Sequence, residues 1–159
     1  MTASVIPVIV EEWQFACCAD PFAVGDLVSW RLSFAEDDVA LDEARVTVDV
    51  VTGEHIETEQ GRFGSLLTVQ SEPGRGVTAF GPSHPAGRAL RLSGAFAQDH
   101  HDLVPATVPL TTGRITRVRE APVTSQLRDV RGFADRTIDL DDEHAWAPLF
   151  LIDLQVGQR

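Results

Sequence analysis

At 159 residues and a formal net charge of −11, the chain has the length of one domain and can bury a core without disulfide or metal staples. No apolar run approaches the roughly 18 residues of a membrane-spanning helix. The acidic balance argues against general binding to a nucleic acid backbone, which takes clustered positive charge.

No Lys or Arg precedes Arg31. That argues against a secretory signal and makes the cytoplasm the expected location. All thirteen basic residues are Arg, and Lys, Asn and Tyr are absent. Those three share A/T-rich codons, so genome composition is the simplest cause. The consequence is chemical: every cation here can make bidentate contacts with a carboxylate or phosphate.

In chain order, Val5 to Trp13 is apolar and β-branched and reads as a first strand, with Pro7 favouring an edge or a bulge. Cys17 and Cys18 follow, before the Asp20-Pro21 turn. Gly25-Asp26 makes a second turn. From Leu27 the side chains alternate, with Val28, Trp30, Leu32 and Phe34 on one face, which predicts a long half-buried strand. Asp38 to Glu43 suits one helical turn. Ala44 to Val51 is a strand ended by Thr52-Gly53-Glu54, and residues 54 to 64 read as loop.

Leu66 to Gln70 and Val77 to Phe80 form a hairpin around Glu72-Pro73-Gly74-Arg75-Gly76. After a loop to Gly87, Arg88 to Ala97 is a strand running into Asp99-His100-His101-Asp102. Thr107 to Leu110 is short and extended. Gly113 to Arg119 is a strand whose inward Ile115 and Val118 lie three apart, which a bulge reconciles. Ser125 to Arg131 suits a helical turn, with Leu127 and Val130 inward. Thr137 to Leu140 is a short strand, and Asp141 caps a turn carrying Trp146. Phe150 to Val156 closes the chain as a strand. Eight to ten short, antiparallel strands with one or two helical turns predict an all-β, barrel-like single domain over 1–159, since closure hides sheet edges; a β-sandwich is the alternative.

The opening stretch carries a resemblance. Glu11-Glu12-Trp13-Gln14, Cys17-Cys18, Pro21-Phe22 and Val24-Gly25-Asp26, then Val28 and Trp30, resemble the start of an uncharacterised family of short proteins from high-GC Gram-positive bacteria. Gly113-x-Ile115-x-x-Val118 is similar to a later part of that family. Ala19 stands where the family has Gly. The resemblance implies no activity.

Cys17, Cys18, His100 and His101 are the candidate metal ligands, because thiolate and imidazole suit zinc and a Cys2His2 set makes a closed structural site. Adjacent ligands are awkward, since neighbouring residues of a strand face opposite ways. The bland reading is one buried and one exposed cysteine. A catalytic thiol needs a His or cation nearby. His100 or His101 could serve, but Glu11, Glu12 and Asp20 would raise the thiol pKa. Phosphate-loop, dinucleotide and nucleophile-elbow motifs are missing from the sequence. The carboxylate pairs read as solvated faces, and His55, His84 and His144 as solitary surface or capping residues.

Charge is unevenly placed. Residues 36–59 hold nine acids and one Arg, and residues 105–136 hold six Arg and three acids. Solvated faces and ion pairing within the fold account for this, and the sharper readings are an acidic patch for a basic partner or an Arg patch, with Arg114, Arg117 and Arg119, for an anionic one. Trp30 belongs to the core, while Trp13 is the tryptophan expected at a surface. The sequence therefore points first to a non-enzymatic binding module for a protein partner or a second copy, using Trp13 and the three arginines. A zinc-stabilised domain and a thiol-dependent enzyme are the alternatives.

Overall fold

The structure, a computed structural model, describes residues 4–11, 21–36, 39, 41–99, 103–121, 126–135 and 149–157. Within them are nine strands: β1 (Ser4–Glu11), β2 (Leu27–Glu36), β3 (Val46–Glu57), β4 (Phe63–Val69), β5 (Thr78–Gly81), β6 (Ala89–Asp99), β7 (Thr111–Ala121), β8 (Arg128–Val130) and β9 (Leu149–Val156). Helical structure among the described residues is limited to single 3-10 turns at Asp42–Ala44 and Phe133–Asp135. The fold is all-β. No helix among the described residues is long and apolar enough to cross a membrane.

All nine strands belong to one sheet in the order β2-β5-β4-β3-β6-β1-β9-β7-β8. Further pairings of β2 with β6 and β7 close that sheet in a ring. Two five-strand circuits result, and they share β2 and β6. One runs β2-β6-β3-β4-β5 and back to β2. The other runs β2-β6-β1-β9-β7 and back to β2. The long alternating strand predicted from Leu27 is thus shared by both circuits. Its Trp30, Leu32 and Phe34 face inward.

Alternation on the other strands fills the same interior. Ile6, Val8 and Val10 come from β1, Phe150, Ile152, Leu154 and Val156 from β9, and Val48, Val50, Leu67 and Val69 from the other circuit. Phe34 and Phe96 meet edge-to-face with centroids 5.1 Å apart. Phe22, Phe133 and Phe150 pack together at tilted and edge-to-face angles, with centroids 5.4 to 5.8 Å apart. A second, smaller cluster of Ile9, Ala44, Ala95 and Leu151 covers the outer face of β1, β6 and β9. Val39 and Leu41, in the connection between β2 and β3, pack onto it.

Several expectations are corrected. The strand from Ala44 does not end at Thr52-Gly53-Glu54: β3 continues to Glu57, with a register shift between Thr52 and His55. The bulge absorbs Gly53, whose bare Cα lies against Leu66. Residues 128 to 130 are strand, not a helical turn, because the exposed edge of β7 pairs with them at Val118 to Glu120. Thr107 to Leu110 is not a strand. The pairings are not all antiparallel: β1 runs parallel to β6 and β2 to β5. β1 is an interior strand between β6 and β9, but β6 pairs only with Val8 and Ile9, so Pro7 is paired on the β9 side alone, as at an edge. The expected elements at 137–140 and 141–148, including Trp146 and His144, lie outside the described residues.

Candidate functional site

The bulge in β7 organises the first candidate surface. It falls between Ile115 and Arg117 and lets Ile115 and Val118 both enter the core. Arg114, Arg117 and Arg119 are left on the outer face of the strand, the first two exposed and the third partly covered. Arg117 donates to both oxygens of Asp129 on β8, Nε to Oδ1 at 2.6 Å and Nη2 to Oδ2 at 3.1 Å. The pair holds the Asp129 carboxyl below the usual carboxylate range, chiefly through these hydrogen bonds, and raises the Arg117 guanidinium. Arg119 Nη2 donates to Asp153 on β9 at 3.2 Å, while its buried Nε has no hydrogen-bond partner among the described residues. Arg114 Nη1 donates to the carbonyl of Gly25 at 2.6 Å. A carbonyl satisfies a donor but leaves the positive charge uncompensated.

Trp13, Cys17, Cys18, His100 and His101 lie outside the described residues. Their strands of origin are described. β1 and β6 are parallel neighbours, with Ile9 opposite Ala97. The cysteine pair follows the end of β1 and the histidine pair follows the end of β6. Among the described residues, no group of three or more His, Cys, Asp or Glu side chains is placed to hold a metal ion.

At this same end two polar side chains are buried in the core. Glu120 of β7 is fully buried, beside Phe150 in register, and Arg128 reaches it at 3.4 Å. Gln98 of β6 is buried as well. Its Nε2 donates to the Asp99 carbonyl at 2.8 Å, and its Oε1 has no hydrogen-bond partner among the described residues. Neither stands out in the sequence, because each falls one residue past the end of a strand as read there, while β6 and β7 run on to Asp99 and Ala121.

Two of the histidines read as solitary, His55 and His84, are not. His84 Nε2 meets Glu36 Oε2 at 2.8 Å, and His55 Nε2 meets the His84 carbonyl at 2.9 Å. Buried Ser65 donates to that carbonyl at 3.1 Å and accepts from the His84 amide at 2.9 Å. The Ser65 hydroxyl is therefore committed to backbone, and the imidazole it would need as a base is turned to Glu36. The arrangement straps the 81–87 loop onto β2, β3 and β4; it is not a nucleophile–base pair.

Comparison with known proteins gives three results. Over 103 residues the chain is 30% identical to a 3-phosphoshikimate 1-carboxyvinyltransferase from Bradyrhizobium sp. (strain ORS 278), a match covering 62% of this chain and 23% of that protein. The chain thus spans about a quarter of that relative's length. No solved structure matches it. A family model matches residues 4–149, which take in β1 to β8 and reach the first residue of β9, and the chain belongs to that family, a family of unknown function designated DUF6578.

Proposed function

We propose that the chain is a non-enzymatic binding module that docks an acidic partner, a protein or a second copy, on the outer face of β7. What supports this reading is the row Arg114, Arg117 and Arg119 on one strand face of a chain whose net charge is −11. Two of the three are already oriented by carboxylates on β8 and β9. Arginines held in this way keep donors for a partner's carboxylates without losing side-chain freedom on binding. Arg114 supplies charge that no carboxylate among the described residues offsets.

The test uses a poly-glutamate peptide at low ionic strength, together with sedimentation of the chain alone. Binding or self-association is expected, weakening with salt and lost in Arg114→Glu. An Arg114→Glu protein that binds as the parent does would remove this face from consideration.

A second reading is a zinc-stabilised domain using Cys17, Cys18, His100 and His101. It is supported by the parallel pairing of β1 with β6, whose ends precede the two ligand pairs. Metal analysis of protein purified without tag or chelator tests it. About one zinc per chain, with a melting temperature that falls on chelation, is the expected result, because metal affinity feeds into folding. A metal-free protein of unchanged stability would end it.

A further inference from the structure

The two circuits part company along one edge of β2. β7 pairs there up to Trp30, antiparallel, while β5 pairs at Ser33, parallel. Between them the ring wall forks. The turn before β5 bends over the fork and touches the other circuit: the Gly74 amide donates to Ser4 Oγ at 2.5 Å. A groove of about 480 Å³ is left between this turn, the residues leading into β7 and the end of β9.

The groove has the size of a small-molecule site, which runs about 300–1,000 Å³. Its floor is apolar: Val77 and Val156 are both buried core residues. Leu110 forms a wall and is half exposed, at 52%. Thr78 and Thr112 bring hydroxyls to the rim, one bonded to the Pro109 carbonyl and the other to Ser29 Oγ. Gly76 and Gly157 line it with φ of +87° and +79°, and a side chain at either would meet open space. Arg75 is the only charged side chain among the described residues lining it. Its Glu72 partner sits 3.6 Å away with both side chains more than half exposed. Such a pair is worth little and yields readily to a competing carboxylate.

We propose that this groove binds a small organic carboxylate with an apolar body. The carboxylate replaces Glu72 on the Arg75 guanidinium, where two oxygens match its donors. The apolar body lies on Val77 and Val156 against Leu110. A neutral ligand of the same shape gains the apolar contact and none of the charge pairing, so the groove discriminates by charge.

Sodium hexanoate is the probe, hexanamide its neutral control, and the readout is amide chemical shifts of the whole chain labelled with nitrogen-15. Saturable shifts are expected at Gly76, Thr78, Thr112 and Gly157. Hexanamide should bind about fivefold more weakly, the scale of an exposed ion pair. Arg75→Gln should weaken hexanoate by about the same factor and leave hexanamide unchanged. Arg75 is exposed, so the substitution leaves the fold intact, and unmoved signals away from the turn verify that. Arg62→Gln, an exposed arginine that does not line the groove, should bind hexanoate as the parent does. Equal affinity for the two ligands, shifts outside the groove, an Arg75→Gln chain that binds hexanoate normally, or a loss on Arg62→Gln would each overturn the assignment.

Discussion

Arg117 clamps Asp129 with two nitrogens, and that clamp joins β8, three residues long, to the edge of β7. The carboxyl is held below its ordinary range by these hydrogen bonds and then by the charge of Arg117. A depressed folded value means that the native state binds this proton more weakly than the unfolded chain does. The contribution is therefore complete above the unfolded carboxylate value of about 3.9 and is lost as pH falls through the lowered folded value. Carbon-13 NMR of the Asp129 carboxyl, followed from neutral to strongly acid solution, should show a depressed midpoint. Arg117→Gln should return it to the ordinary range; a midpoint indifferent to that change would refute the clamp. Asp49 and Arg91, linking β3 to β6, should behave in the same way.

Glu120 is a fully buried carboxylate, and Arg128 reaches it from a half-exposed position. Removing one partner of such a pair leaves charge in an apolar surrounding. Arg128→Met should cost about 1–3 kcal/mol in chemical denaturation, because the carboxylate loses a charged donor. The double variant Arg128→Met with Glu120→Gln should recover part of that loss. Additive losses would show that the two side chains are not coupled.

Thr52 is buried where β3 bulges. Its hydroxyl donates to the Pro85 carbonyl at 2.6 Å and accepts from the Arg88 amide at 2.9 Å. Thr52→Val keeps the shape and strands both backbone groups. A loss of about 1–3 kcal/mol is expected, with faster hydrogen exchange at Arg88. Unaltered exchange there would show that the loop is held by other ties, among them Glu36 on His84.

Gly94 of β6 is paired with Glu36 of β2 and Val46 of β3, and a Cβ there would run into the Ala35 carbonyl oxygen. That atom is backbone, so a strand must move. Gly94→Ala should destabilise by about 1–3 kcal/mol or more, as overpacking does. Gly76→Ala should cost less and act through its φ of +87° alone, since its Cβ meets open space. Equal thermal shifts in the two variants would contradict this ranking.

Strands were legible wherever one face is buried and the other is wet. Val28 to Phe34 alternates without interruption, Phe150 to Val156 does so but for Leu151, which the outer cluster covers, and both stand as read. The β7 bulge was legible too, because Ile115 and Val118 could share one face in no other way. Arg128 to Val130 was not: three residues carry too little periodicity, and only the open edge of β7 makes them a strand. The continuation of β3 past Gly53 was hidden because glycine reads as a stop, while here its missing side chain lets Leu66 approach. The candidate sites divide in the same way. Each arginine of the β7 row was visible by its alternation, but the carboxylates that hold two of them lie 12 and 34 residues away. Ser65, His84 and Glu36 come from three separate elements, so no local spacing announces them.

The amino-acid sequence by itself determined the class of the fold, most of the strands and which side of each faces the core. Those follow from a period of two, which is local and is read by water at every residue. Only the tertiary structure decided that β2 and β6 are shared by two circuits, that β1 lies parallel to β6, and that the wall forks beside Arg75. Strand order and register are settled by contacts between residues far apart in the chain. There the burial of one face against several rival partners is compared all at once, and no single stretch contains that comparison.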